Sequence, residues 1–436
     1  MVQVNKPMYN DAVPLEVPLQ NDAMTAYGIS RCEGGVCAAE GVRASGVCAG
    51  LRKEPERRDL ALVVADDTCV CAGTFTQNKF CAAPVQVSRA RVARGYARAV
   101  LLNSGNANAS TGGPGVEVAE QSAALVAREI GCADEEVLVG STGVIGVPLA
   151  LDGFVRGVPM AVASLVHSPQ GAHDAARAVM TTDTVSKESS YELQLTAQDG
   201  ASVTVHAGGF VKGSGMIMPN MATMLSVLST DAPLTPDAAR TALRAAVRET
   251  FNKVTVDSDT STNDTCILFA TGKAAVEEID LDSPAYPAVA AAIHMVCEDL
   301  ARKIAADGEG ASKLVTVDVL GAANEQDAET VARSIANSPL VKTAIFGHDA
   351  NWGRVAAAAG KCGVEFDQYH VDIDLLGVPV LRQGLPLPMD EDDMLRRFEE
   401  NEIKIAISLG EGNACARVWT CDLTHEYITI NGDYRT

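Results

Sequence analysis

The stretch from Lys212 to Leu225, KGSGMIMPNMATML, constrains this chain more than any other. Gly213 and Gly215 admit backbone shapes that residues with a Cβ resist, and Pro219-Asn220 marks a turn. Small, apolar and hydroxyl residues follow up to Thr223, and Leu225 to Leu228 then reads as a strand. Such a loop bends sharply and delivers one hydroxyl to a fixed position. A threonine oxygen is a weak nucleophile at its free pKa, and an α-amine on the same residue is one recognised base for it. Thr223 gains that amine only if the Ala222–Thr223 peptide bond is cut. The expectation is that the chain cuts itself there. The bland alternative is an ordinary turn threonine, against which the neighbouring loops have to be weighed.

Around this stretch the chain alternates strands and helices. Asp59–Ala65 and Val70–Thr76 read as two strands, Ala99–Leu102 and Glu136–Val139 as two more, and Val116–Ile130 has helical spacing. Tyr191–Ala197 and Ser202–Ala207 look antiparallel. Thr235-Pro236-Asp237 opens a helix, with proline at its first turn. Val254–Val256 and Cys266–Ala270 read as strands, 284–305 as a long helix, 313–320 as a strand and 327–337 as a helix. Residues 347–354 read as a loop, and weaker strands fill 363–382 before a helix near 391–398 and strands at 402–408 and 414–422. This order predicts an α/β (α+β) fold of mixed, layered sheets and helices, with a smaller C-terminal α/β domain. Residues 1–40 lack periodicity and read as an irregular, partly disordered arm.

Composition bounds the partners. At 436 residues, 47% apolar and 21% charged, the chain has ample core for two or three domains. Its net charge of −21 argues against nucleic acid or an anionic membrane surface. No run of about 18 apolar residues predicts a membrane helix. The first 40 residues carry Asp11, Glu16, Asp22, Glu33 and Glu40 against Lys6 and Arg31, unlike a targeting peptide. A cytoplasmic location is expected. The twelve cysteines show no C-x-x-C pair and the seven histidines no ligand spacing, so no metal and no cofactor are expected.

Three further loops have the chemistry of a site. Thr142-Gly143 follows a strand, where backbone N–H groups can face a developing oxyanion; the alternative is a plain strand-to-helix turn. Asp307-Gly308-Glu309-Gly310 reads as a helix C-cap or as a site in which Glu309 meets an ammonium group. Gly347–Arg354, rich in polar residues around Trp352, either contributes to a site or anchors a domain edge. No histidine sits beside a candidate nucleophile, so a Ser-His-Asp hydrolase has no support.

Taken together, NKFCAAPV (78–85), NSGNANASTG (103–112), STGVIG (141–146), MTTDT (180–184) and KGSGMIMPNMATML (212–225) resemble the ornithine acetyltransferase family. VDSDTSTNDT (256–265), DGEGASK (307–313), VKTAIFGHDANWGR (341–354) and the tail YITINGDYRT continue the resemblance in order, from about Gly41 to Thr436. These are the bifunctional glutamate/ornithine N-acetyltransferases of arginine biosynthesis, with a fold similar to self-cleaving aminopeptidases. The resemblance implies transfer of acetyl from N2-acetyl-L-ornithine to L-glutamate by ping-pong acyl-threonine catalysis, with acetyl-CoA an open second donor.

By match, Thr223 is the nucleophile and new N-terminus, and Thr142 and Gly143 form the oxyanion hole. Thr181, Lys212, Thr223, Glu309, Asn431 and Thr436 contact substrate, with Thr182 the competitor to Thr181. Cleavage between Ala222 and Thr223 would give an α chain, 41–222 beyond the arm, and a β chain, 223–436, assembled as a heterotetramer of two of each. The chain departs from the family at Ser258, where glycine is common, at Met218, where alanine is, and near Ser186, where a proline is usual. The rival enzyme reading is a self-processing N-terminal-threonine amidase or aminopeptidase, and the non-enzyme one is a binding protein on the same scaffold.

Overall fold

The computed structural model describes residues 12–16, 23–54, 56–218 and 224–433. The expected cleavage junction, Ala222–Thr223, and the terminal Thr436 lie outside the described residues. The chain divides into two compact units, the larger ending at Glu309 and the smaller running from Gly310 to Asp433 with residues 12–16. Each is built from mixed α/β elements, as the strand and helix order predicted.

In the larger unit, nine strands form one sheet: β1 (Ser30–Arg31), β2 (Val42–Val47), β3 (Leu60–Phe75), β4 (Tyr96–Asn103), β5 (Val137–Ser141), β6 (Lys187–Thr196), β7 (Ser202–Lys212), β8 (Leu225–Thr230) and β9 (Thr265–Ala270). They lie in the order β1-β6-β7-β8-β9-β3-β4-β5, and β2 also pairs with β3. The β4–β5 and β8–β9 pairs are parallel and the rest antiparallel.

The β3 strand organises this sheet. Its first half pairs with β4 and its second with β9, and the register slips between Val64 and Cys69. The two strands expected at 59–65 and 70–76 are therefore one bent strand, interrupted in sequence only by the exposed Asp66-Asp67-Thr68 at the bulge. Alternation along the strand sends Ala61 and Val63 into one core cluster and Leu60, Leu62 and Val64 into another. The first cluster joins Val100, Leu102 and Leu138 of β4 and β5 to Leu225, Val227 and Ile267 of β8 and β9. The two arms of the folded sheet thus face each other. Outside one arm pack the helices Ala83–Val92, Gly112–Ile130 and Asp152–Ala163; on the other side, helix Pro236–Glu249 packs on β3 and helix Tyr286–Ala306 on β6 and β7. The central β8 and β9 are buried at every position, which explains their unbroken small and apolar sequence.

Within the expected N-terminal arm, Ile29, Val36 and Ala39 are buried, so the packed core begins before Gly41. Val254–Val256 is not a strand: a 3₁₀ turn at Phe251–Lys253 leads into it, and three β-branched or hydroxyl residues are too few to hold a ladder.

The smaller unit has six strands in the order β13-β12-β11-β14-β10-β15, from β10 (Leu314–Ala322) through β11 (Asp372–Leu375), β12 (Val378–Arg382), β13 (Leu385–Pro386) and β14 (Glu402–Ser408) to β15 (Ala414–Cys421). Val315, Val317 and Val319 of β10 meet Ala328, Val331 and Ile335 of helix Glu325–Ala336 in its core. Three short helices went unread in the sequence, Pro339–Phe346, Trp352–Gly360 and His425–Asp433; the second starts inside the expected 347–354 loop. No helix among the described residues is long and apolar enough to cross a membrane.

Candidate active site

The folded sheet brings the end of its β4–β5 arm against the loop between β7 and β8. Lys212 ends β7, opposite Leu225 at the start of β8, and Leu225 in turn lies beside Thr265 at the start of β9. The chain therefore leaves the middle of the sheet after Lys212 and re-enters it at Leu225. From the other arm come Asn103 and Ser141, whose side chains share a 2.6 Å hydrogen bond. The buried Asn263 amide ties the arms together, donating to the Ala107 carbonyl at 2.6 Å and the Ser141 carbonyl at 2.8 Å.

Thr142 and Gly143 follow directly. The Thr142 N–H donates to the Asn103 carbonyl at 3.0 Å, so this backbone donor is already engaged. That corrects the expectation of two backbone N–H groups: the free donors here are the Thr142 hydroxyl and the Gly143 N–H, which has no hydrogen bond among the described residues. Gly143 cannot be replaced at this point. Its φ is +130°, and a Cβ would stand 2.4 Å from the Gly105 carbonyl carbon. Lys212 Nζ reaches the Thr142 hydroxyl at 3.5 Å, its only hydrogen bond among the described residues.

The approach loop is held from three sides. The Gly213 N–H donates to Asp183 Oδ1 at 2.7 Å, and the Ser214 hydroxyl to the Asp307 carbonyl at 2.7 Å. The Glu309 N–H donates to the Ser214 carbonyl at 3.0 Å. A Cβ on Gly215 would meet the Glu309 carboxylate at 2.3 Å, so this glycine serves by close approach. The left-handed turn falls instead on Met216, φ +56°, where Asp257 accepts the N–H groups of Met216 and Ile217 at 2.6 and 2.8 Å. Past the undescribed residues, the Met224 N–H donates to Asp264 Oδ1 at 2.9 Å.

Thr181 lies at the mouth of the same cluster. Its N–H donates to Asp183 Oδ2 at 2.9 Å and its carbonyl accepts from Arg57 at 2.7 Å. Thr181, Lys212, Glu309, Thr142 and Gly143 are thus gathered in the larger unit around one loop. Asn431 belongs to the smaller unit, on helix His425–Asp433, with its amide donating to the Tyr427 carbonyl at 3.0 Å.

The charges are unequal in cause. Burial pulls the Lys212 ammonium below the ordinary lysine value, against the opposing pull of Asp183 and Glu309. Burial alone would raise Asp183, but the Lys212 and Lys187 charges and its hydrogen bonds outweigh it and hold the carboxyl well below the usual range. Burial pushes Asp264 far above it, with the Met224 N–H only partly compensating. Asp183, Lys187, Asp257, Asn263, Asp264 and Asp307 were not singled out from the sequence. All but Lys187 sit in three of the quoted motifs, and that nearness was the only signal available.

By fold and site, this is a mixed α/β protein with buried, oppositely charged groups and a hydroxyl gathered at a loop inside its sheet. The chain belongs to the ArgJ family, whose model matches residues 43–436. Its relatives include the arginine biosynthesis bifunctional protein ArgJ of Symbiobacterium thermophilum, 46% identical over 404 residues, spanning 92% of this chain and 99% of that one. The chloroplastic protein of the same name from Sorghum bicolor is 43% identical over 411 residues, 93% of this chain and 88% of the relative. A crystal structure of the Bacillus halodurans ArgJ protein, 43% identical, covers 48% of this chain and 98% of its own, with a TM-score of 0.47.

Proposed function

We propose that this chain works in arginine biosynthesis, moving an acetyl group from N2-acetyl-L-ornithine to L-glutamate through an acetyl ester on Thr223. The relatives' names give the pathway, and the Lys212–Thr142–Gly143 grouping at the end of β7 supports the chemistry. In the first stage Thr223 Oγ attacks the Ala222 carbonyl, the acyl group shifts from nitrogen to oxygen, and water releases chains of 222 and 214 residues. The new α-amine, with a reference pKa of about 7.7–8.0, is partly neutral near pH 7 and takes the Thr223 hydroxyl proton.

In the second stage Thr223 attacks the acetyl carbonyl. The Thr142 hydroxyl and the Gly143 N–H donate to the oxyanion, and ornithine leaves with the proton carried by the amine. Glutamate then attacks the ester, completing a ping-pong cycle. Lys212 suits a substrate carboxylate and Glu309 a substrate ammonium. Thr181 borders the same cluster, and Asn431 and Thr436 are carried as substrate contacts by the family resemblance alone. The donor set is organic throughout, so no cofactor is invoked; acetyl-CoA enters, if at all, as an alternative donor to the same threonine. The assembly is two α and two β chains.

The Thr223→Ala variant tests both stages together. It is expected to run as one uncut chain and to transfer no acetyl from acetylornithine to glutamate. A variant that stays uncut yet transfers acetyl contradicts the scheme, and release of acetate without transfer to glutamate replaces it with hydrolysis.

A further inference from the structure

Lys187, at the start of β6, is wholly buried, and the reaction as derived does not use it. Its ammonium donates to Asp183 Oδ1 at 2.8 Å and to Asp307 Oδ2 at 2.5 Å. The N–H and hydroxyl of Thr184 also donate to the Asp307 carboxylate. With Lys212, these residues form a buried set of two cations and two anions, formally neutral. Burying an ion carries a large desolvation cost even after relaxation, and apolar residues of similar size often replace such sets without loss. Stability alone therefore gives little reason for four charges here.

Connectivity gives a better one. Asp183 joins the Thr181 segment to the start of β6 and the end of β7. Oδ1 accepts from Lys187 and from the Gly213 N–H, while Oδ2 accepts from the Thr181 N–H and faces Lys212 Nζ at 4.0 Å. Lys187 and Asp307 leave Asp183 one orientation, and Asp183 in turn fixes both ends of the residue pair that carries Lys212. We propose that Asp183, braced by Lys187 and Asp307, is a positioning residue for acyl transfer, holding the Lys212 ammonium in place and charged beside the Thr142 hydroxyl. The proposal rests on the acyl-transfer reading of the site.

Five charged or titratable groups act on Lys212. Asp183 faces it from the segment before β6, Glu309 from the end of the larger unit, and Asp264 from the start of β9; Lys187 of β6 and Arg52, from the segment before β3, oppose them. Asp183 is the strongest of the attractive charges. Without it, the buried ammonium loses its proton at lower pH, because desolvation and two cations remain. Without Arg52, the same ammonium stays protonated to higher pH. A scaffold role for Asp183 would leave the first unmoved, while the second shows that Lys212 sets the alkaline limb.

The test is the pH profile of kcat/KM for acetyl transfer in the mature enzyme, in wild type, Asp183→Asn and Arg52→Gln. The alkaline limb, set by Lys212, is expected to move down by about 1–3 pH units in Asp183→Asn and upward in Arg52→Gln, with KM for glutamate rising more than kcat falls in Asp183→Asn. If Asp183→Asn does not fold, Asp183→Ser, which also removes the charge, takes its place with the same downward movement expected. Active wild-type enzyme whose variants keep its alkaline limb overturns the proposal. Wild-type enzyme that transfers no acetyl overturns the acyl-transfer reading itself, and the proposal with it.

Discussion

At the scale of single residues, the site is a set of exact backbone demands met by unremarkable side chains. Gly143 is required by contact, since a Cβ would clash with the Gly105 backbone, whereas a Cβ on Gly215 would meet only the flexible end of the Glu309 side chain and displace it. Ser258 shows the reverse. It adopts φ +67°, a left-handed conformation that costs a residue with a Cβ about 1–2 kcal/mol. By the family resemblance of the sequence, glycine is expected at this position. Ser258→Gly is therefore expected to stabilise the protein by about 1 kcal/mol with transfer unchanged, read by chemical denaturation alongside an activity assay. A loss of stability would show that the Ser258 side chain contributes more than its backbone costs.

At the scale of elements, three loops from two arms of one sheet are joined by the Asn263 amide. Its donations to Ala107 and Ser141 leave two buried carbonyls orphaned if it is removed. Asn263→Ala is expected to cost about 1–3 kcal/mol in stability and to lower kcat, since Thr142 is the next residue after Ser141. Unaltered kcat in a folded variant would separate this joint from the placement of Thr142. The same elements mark what could be read from sequence. Motif residues such as Lys212, Thr142, Gly143 and Glu309 were legible because their neighbours form a recognisable series, and the helix at 236–249 because Thr235 and Pro236 announce it. Buried partners were not. Asp183, Lys187 and Asn263 are polar residues in polar company, and only the folded sheet tells them from solvated ones. Helix Ala83–Val92 was hidden because Pro84, which suits a first turn, also reads as a breaker. The single strand β3 looked like two because its bulge is exposed and acidic.

At the scale of the molecule, the cut between Ala222 and Thr223 would not part the protein. The first piece supplies β1 to β7 and the second supplies β8 and β9, and β8–β9 is inserted between β7 and β3. Two backbone ladders, β7–β8 and β3–β9, would cross from one piece to the other through the buried middle of the sheet. The pieces are expected to co-elute in native size-exclusion chromatography and to separate only in denaturant. Fragments that separate without it would mean that this sheet is not the architecture of the mature enzyme.

Intact-mass spectrometry of active protein, quenched in denaturant after mixing with N2-acetylornithine and no glutamate, reads the covalent step itself. The expected result is two polypeptides, of which only the one beginning at Thr223 gains the mass of an acetyl group and loses it when glutamate is added. Active protein that is a single chain, or an acetyl group held anywhere but on Thr223, would contradict the account.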